Sequence, residues 1–156
     1  MEQINKKVVS VWLVVEDGVN RGKIALQKRS SREKNFPFIC QSTWAGKVEP
    51  GEEEINTVKR ECEEEMGCDF FDEFNNFNIS FLCKSFAIGW ECYNYSGRIK
   101  ESLICKVKMH EDAFPELLFV GGKDEFYPAS SGKNPEDNIV LFNDQYEILK
   151  NILNGN

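Results

Sequence analysis

The segment from Gly46 to Cys68 decides how the fold of this chain is interpreted, and it reads GKVEPGEEEINTVKRECEEEMGC. Between Glu53 and Met66, apolar residues recur at spacings of three and four, at Ile55, Val58, Cys62 and Met66. This period places them on one face of an α-helix. Pro50-Gly51 marks the start of that helix, and Gly67 is a typical C-terminal stop. The segment therefore predicts a loop followed by an amphipathic helix that packs on a core.

Three glutamates lie beside the apolar face of the predicted helix. Glu61, Glu64 and Glu65 stand at i, i+3 and i+4, where like charges cost about 0.2–0.5 kcal/mol per pair. The helix dipole adds about 0.3–1 kcal/mol for each acid in the last turns. Mg²⁺ prefers carboxylate oxygens, so a bound metal would relieve this repulsion. A solvated acidic surface is the alternative in a chain with 26 acidic residues, and helix geometry alone leaves both open.

The spacing of the whole segment resembles the signature of the Nudix hydrolase family, G-x5-E-x7-R-E-U-x-E-E-x-G-U, in which U is a bulky aliphatic residue. All seven fixed positions are filled in register, by Gly46, Glu52, Arg60, Glu61, Glu64, Glu65 and Gly67. Cys62 and Cys68 occupy the two U positions, where a small buried hydrophobe is still compatible with the fold. The resemblance implies an α/β/α sandwich with a mixed, curved sheet, formed by residues 1–156 as a single domain.

The resemblance also implies a function and a set of roles. The expected activity is hydrolysis of a pyrophosphate bond in a nucleoside diphosphate linked to another moiety, with Mg²⁺, or Mn²⁺ in its place, as the cofactor. The implied metal ligands are the carboxylates of Glu61, Glu64 and Glu65 and the carbonyl of Gly46. Glu64 and Glu61 are the implied catalytic residues, and Glu64 or a nearby acid helps to activate water. The implied structural residues are Glu52, Arg60 and Gly67.

Candidate residues outside this segment are less sharply defined. Many Nudix enzymes use another acid from a distant loop, and the candidates here are Glu101, Glu111 and Glu125. Lys28 and Arg29 end a predicted strand, where they would bind phosphates or form a solvated edge. Trp44 would line a base-binding pocket or pack in the core.

The rest of the chain predicts strands, a second helix and a long loop. Strands are expected over residues 8–15, 23–29, 79–87, 102–109 and 117–120, with extended chain over 38–48. Residues 124–137 are expected to form a loop. Phe142, Tyr146, Leu149 and Leu153 predict an amphipathic C-terminal helix with Asn143 as its N-cap.

Composition limits the classes of function. The net charge of −7 disfavours binding to a nucleic-acid polymer, whereas a divalent cation would let an acidic site accept a small anionic substrate. The six cysteines form no C-x-x-C pair and there is one histidine, so a zinc site is not expected. No apolar run could cross a bilayer and no signal peptide is recognisable, so a cytoplasmic protein without membrane contact is expected. Many relatives dimerise, so a homodimer is a further expectation.

Two other functions are also compatible with the sequence. Isopentenyl diphosphate isomerisation uses a Nudix-like scaffold with a cysteine and a glutamate, and Cys40 precedes the segment here. A catalytically silent nucleotide-binding module is the other alternative, although such modules tend to lose the metal-binding glutamates. The sequence does not name the substrate, because selectivity lies in loops grafted onto the fold.

Overall fold

The computed structural model describes residues 6–67, 74–87, 89–104 and 115–155. Within these residues, nine strands form one mixed sheet: β1 (Lys6–Val15), β2 (Ile24–Lys28), β3 (Cys40–Gln41), β4 (Trp44–Lys47), β5 (Ser80–Ala87), β6 (Trp90–Ile99), β7 (Glu116–Val120), β8 (Tyr127–Pro128) and β9 (Val140–Leu141). The helices are α1 (Glu54–Met66), the single turn α2 (Glu101–Ile104) and α3 (Asn143–Asn154). Two short 3₁₀ helices span Phe74–Phe77 and Ala129–Ser131.

Strand β1 organises the sheet. It pairs in parallel with β6 along its whole length. On its other side, its first half pairs antiparallel with β4 and its second half antiparallel with β2. Strand β2 in turn pairs with β7 and β3, and β3 continues the sheet through β9 to β8. Because β2 and β4 pair with different halves of the same edge of β1, the end of β2 and the start of β4 lie together beside the middle of β1.

Alternate side chains of β1 enter two separate cores. Val9, Val11 and Leu13 pack against Val58 and Cys62 of α1. On the opposite face, Trp12 belongs to a second cluster with residues of α3, including Ile148 and Leu149. The alternation follows from the strand period of two, which sends successive side chains to opposite faces. The expected α/β/α sandwich is confirmed, with α1 on one face of the sheet and α3 on the other.

The sequence expectations missed one strand and misassigned another segment. Strand β6 was not predicted, because its polar members Glu91, Asn94 and Ser96 interrupt the apolar pattern. The strand expected over residues 102–109 is also incorrect where it can be compared, because residues 101–104 form the turn α2. The backbone N–H groups of Leu103 and Ile104 both donate to Lys100 O. Residues 105–109 of that predicted strand lie outside the described residues.

The C-terminal helix begins at Asn143 without using that side chain as a cap. Phe142 is the N-cap residue, and Asn143 Oδ1 instead accepts a hydrogen bond from the Ser130 N–H, 3.0 Å away. The predicted role of Asn143 is therefore replaced by a contact that ties the preceding loop to α3. That loop also contains β8, which the expectation of an irregular segment over 124–137 had missed. No helix in the described part of the chain is long and apolar enough to span a membrane.

Candidate active site

Gly46 brings the backbone of β4 against the glutamate face of α1. It pairs with Val9 in the sheet, and a Cβ at this position would collide with the carboxyl group of Glu61. Glycine leaves room for this approach, since any larger residue would have to displace the Glu61 side chain from its present position. The sheet and helix therefore meet closely at the positions that the sequence analysis assigned to metal binding.

Glu52 and Arg60 connect the loop before α1 to the helix. Arg60 Nε and Nη2 donate to the two carboxylate oxygens of Glu52, each at 3.0 Å, and Nη2 also donates to Lys47 O. The Thr57 hydroxyl donates to Glu52 Oε1 at 2.6 Å. These hydrogen bonds, those from Arg60 first, lower the pKa of Glu52 to about 2. The pair thus holds the loop against α1 and the end of β4.

Arg60 also lies between two of the proposed metal ligands. Its Nη1 is 2.9 Å from Glu61 Oε1 and 3.4 Å from Glu64 Oε2. The Glu61 side chain is only 12% exposed, and burial, followed by the charge of Glu64, raises its pKa. Glu64 is 54% exposed and open to solvent. A positive charge therefore already occupies the space between these two carboxylates.

Glu65 is held from the sheet side by neutral donors. Gln27 Nε2 donates to Glu65 Oε2 at 3.0 Å and to Thr43 O at 2.6 Å. The Ala45 N–H also hydrogen-bonds Glu65. Burial raises the pKa of Glu65 to about 8 despite these bonds. Gln27 was not predicted as a site residue, although a polar residue that shares a strand face with Ala25 is a signal that the sequence contains.

The oxygen atoms in this region are of the chemical type that binds a hard divalent cation. Carboxylate oxygens from one helix face stand beside the backbone of Gly46, and such oxygens are the ligands of Mg²⁺. Among the described residues, no three acidic, histidine or cysteine side chains converge closely enough to enclose a metal as they stand. Glu61 and Glu64 bind Arg60 instead, so they would have to turn from Arg60 toward the cation.

Of the candidate distal acids, Glu101 lies away from this cluster, at the turn beyond the end of β1. Glu101 accepts hydrogen bonds from the N–H groups of Val19 and Asn20, in the turn that follows β1. The end of β1 lies six residues beyond Val9, the partner of Gly46, or roughly 20 Å at about 3.3 Å per residue. Glu125 is exposed and accepts a hydrogen bond from the Tyr127 hydroxyl. Glu111 lies outside the described residues.

The candidate substrate-binding residues divide into three cases. Trp44 is fully buried and its Nε1 donates to Val58 O at 3.0 Å, so of the two alternatives it packs in the core, where it joins β4 to α1. Lys28 Nζ is held by Glu136 O at 2.9 Å. Arg29 follows β2 directly and pairs with Glu33 at 3.0 Å, while its buried Nε has no hydrogen-bond partner among the described residues. Arg29 is thus the candidate with donor capacity to spare.

Comparisons with known proteins agree with this arrangement. A family model described as the NUDIX domain matches residues 6–100, more than half of the chain. An uncharacterized Nudix hydrolase of Yersinia pestis is 36% identical over 58 residues, and YfcD of Escherichia coli K12 is 34% identical over 58 residues. In both cases the match covers 37% of this chain and 31% of the relative, so it spans less than a third of the length of these relatives.

Solved structures share the fold at low sequence identity. A NUDIX family hydrolase from Clostridium perfringens superposes with a TM-score of 0.59 at 10% identity, covering 99% of this chain and 98% of the other. A MutT structure from work on the Aliivibrio salmonicida and Vibrio cholerae proteins gives 0.58 at 15% identity, covering 97% and 99%. With the matched domain, the complete spacing of residues 46–68 and this fold, the chain belongs to the Nudix family.

Proposed function

We propose that this protein is a metal-dependent pyrophosphohydrolase that cleaves a nucleoside diphosphate linked to another moiety. One observation carries the proposal. The glycine backbone of β4 lies directly against Glu61, on the helix face that also bears Glu64 and Glu65. A cation shared by carboxylates and a backbone carbonyl would need such an approach, because Mg²⁺ binds its oxygen ligands at about 2.0–2.1 Å.

In the proposed site, Glu61, Glu64, Glu65 and the Gly46 carbonyl would hold the metal. When bound, Mg²⁺ would neutralise the phosphates and lower the pKa of a coordinated water. Glu64 is the most exposed of the three glutamates, so its carboxylate can receive the proton of the attacking water. The water oxygen forms a bond to phosphorus, the bridging P–O bond breaks, and the products are a nucleoside monophosphate and a second phosphate-bearing compound.

Arg29 supports the proposal from the neighbouring strand. It follows β2 two residues after Gln27, which contacts Glu65. Alternate residues of a strand share a face, so Arg29 emerges toward the same side as Gln27. The Arg29 side chain is 26% exposed, and a guanidinium is well suited to phosphate oxygens. Arg29 would bind the diphosphate while the glutamate cluster supports its cleavage.

The isomerase alternative receives no support from Cys40. This residue is 1% exposed, and burial raises the pKa of its thiol to about 11. The thiol is neutral and is buried in the second core cluster, together with Trp12 and Leu141, so it cannot reach a substrate. Isomerisation through Cys40 is therefore not proposed.

The proposal is tested by measuring turnover of a substrate panel with and without Mg²⁺. The panel contains nucleoside triphosphates, nucleotide sugars, dinucleoside polyphosphates and isopentenyl diphosphate. We expect Mg²⁺-dependent release of a nucleoside monophosphate from one nucleotide class, and hydrolysis in ¹⁸O-labelled water then identifies the phosphorus that is attacked. Tight Mg²⁺ binding without turnover of any nucleotide would contradict the hydrolase and favour a binding module.

A further inference from the structure

Gln27 is the residue of β2 that reaches the glutamate face of α1. Its Nε2 stands 2.6 Å from Thr43 O and 3.0 Å from Glu65 Oε2. A carbonyl oxygen can only accept a hydrogen bond, so the nitrogen of the amide must face Thr43. The same nitrogen carries a second hydrogen, which is directed to Glu65. The orientation of the Gln27 amide is therefore fixed by its chemistry.

Thr43 gives this contact a rigid base. Its hydroxyl donates to Ala25 O at 2.6 Å and accepts from the Leu13 N–H at 2.9 Å, while its own N–H donates to Val11 O. Thr43 is 1% exposed and so links β1, β2 and the start of β4 from inside the sheet. The carbonyl that anchors Gln27 consequently moves only with the sheet itself. The sheet therefore fixes the position of the Gln27 amide, and the amide in turn holds the Glu65 carboxylate.

The neutral amide of Gln27 is suited to hold the Glu65 carboxylate if that carboxylate binds a cation. A lysine or arginine in this position would neutralise Glu65 and repel a second positive charge, and a glutamate would add repulsion to an already acidic face. An amide donates one hydrogen bond, leaves the negative charge of the carboxylate in place and restricts its rotation. Donors behind a metal ligand orient it in this way, and their loss typically weakens metal affinity or activity by about 10–100-fold.

We infer that Gln27 is a positioning residue, which orients the Glu65 carboxylate between the sheet and α1 for binding a divalent cation. The inference rests on the proposed metal-dependent function, because it presumes that Glu65 is a metal ligand. Gln27 lies outside the segment 46–68, and its role is to orient the carboxylate of Glu65. This role also explains why a polar side chain occupies the α1-facing side of β2.

The test compares Gln27→Met with the matched control Gln41→Met. Methionine keeps the length of the side chain and removes both donors. Gln41 lies directly opposite Gln27 in the β2–β3 pair, so the control makes the same chemical change on the same sheet face. The probe is Mn²⁺ alone, and its dissociation constant is measured by electron paramagnetic resonance of the free ion. Melting of the metal-free proteins reports separately on folding.

We expect Gln27→Met to weaken Mn²⁺ binding about 10-fold, at the lower end of the range for such donors. We expect Gln41→Met to bind as the wild type does. At saturating metal, the loss in Gln27→Met should appear in kcat more than in KM, since the substrate contacts remain. Equal Mn²⁺ affinity in Gln27→Met and the wild type would overturn the inference. Equal losses in the two methionine variants would do the same.

A double-mutant cycle with Glu65→Gln separates positioning from a general loss of stability. If Gln27 acts through Glu65, adding Gln27→Met to Glu65→Gln should not weaken Mn²⁺ binding further. Additive losses would show that Gln27 acts elsewhere and would overturn the inference. A wild-type protein that binds no Mn²⁺ would overturn the proposed metal site itself, which is a different result from binding that Gln27→Met leaves unchanged.

Discussion

Glu65 carries a partly buried carboxyl group, and its hydrogen-bond donors are the neutral groups of Gln27 and Ala45. Burial raises its pKa from 4.5 to about 8, so the charged form is disfavoured in the folded, metal-free protein. Glu52 shows the opposite case, because direct hydrogen bonds from Arg60 lower its pKa to about 2. The pKa values of two acids that stand 13 positions apart in one segment are thus shifted in opposite directions, and both shifts depend on contacts made in the fold.

The raised pKa of Glu65 predicts that Glu65→Gln stabilises the metal-free protein. Below pH 4.5 the side chain is neutral in both folded and unfolded states, so the variant should melt with the wild type. As the pH rises from 4.5 to 8, the unfolded chain releases a proton that the folded protein retains, and the wild type loses stability. The variant should therefore melt several degrees higher at pH 8. Melting curves across this range, recorded in chelator, check the prediction, and a lower melting temperature for the variant at pH 8 would contradict it.

At the scale of elements, the loop and helix of residues 46–68 act as one unit because Arg60 joins them. It binds Glu52 before the helix and Lys47 O at the end of β4, and it also contacts Glu61 and Glu64 within α1. The helix itself was predictable, since its apolar period is a property of the local sequence. The contact between Gln27 and Glu65 was not, because it joins residues 38 positions apart whose proximity depends on the pairing of β2 with β1 and β3.

Glu52→Gln should weaken the attachment of this loop to α1 in a pH-dependent manner. The folded-state pKa of Glu52 is depressed from 4.5 to about 2, so its contribution to stability is present above pH 4.5 and is lost as the pH falls toward 2. The variant should melt a few degrees below the wild type at pH 7, and the difference should shrink between pH 5 and pH 3. Thermal melting in this window measures it. A difference that stays constant with pH would show that the charge of Glu52 is not the cause.

At the scale of the whole molecule, β1 separates two groups of acidic contacts. Gly46 and the glutamates of α1 lie beside its first half, and Glu101 braces the turn beyond its end. The fold class was implied by the family resemblance of one segment. Strand β6 was missed, because a buried polar residue, Asn94, interrupts its apolar pattern and is satisfied by hydrogen bonds from Trp12 and to Ser85. A search for apolar periodicity does not readily detect a strand in which a buried position holds a polar residue.

The position of Glu101 predicts a structural role without effect on catalysis. Its two carboxylate oxygens accept hydrogen bonds from Val19 N, Asn20 N and Asn20 Nδ2. Glu101→Gln replaces one acceptor oxygen by a donor, which should cost about 1 kcal/mol in the free energy of unfolding. Urea unfolding measures that loss, and kcat should remain at the wild-type level. A large fall in kcat with unchanged stability would make Glu101 a participant in the reaction.

The central claim is that Glu61, Glu64 and Glu65 of α1 support metal-dependent hydrolysis, and a matched pair of variants tests it most directly. Glu63 and Glu64 are adjacent, exposed residues of the same helix. The measurement is Mg²⁺-dependent kcat on the substrate identified from the panel. Glu64→Gln should lower kcat by about 100-fold or more, the lower end of what a general base contributes. Glu63→Gln should stay within about twofold, as expected for an exposed residue that lacks that catalytic role. Equal activity in both variants, with folding intact, would contradict the account.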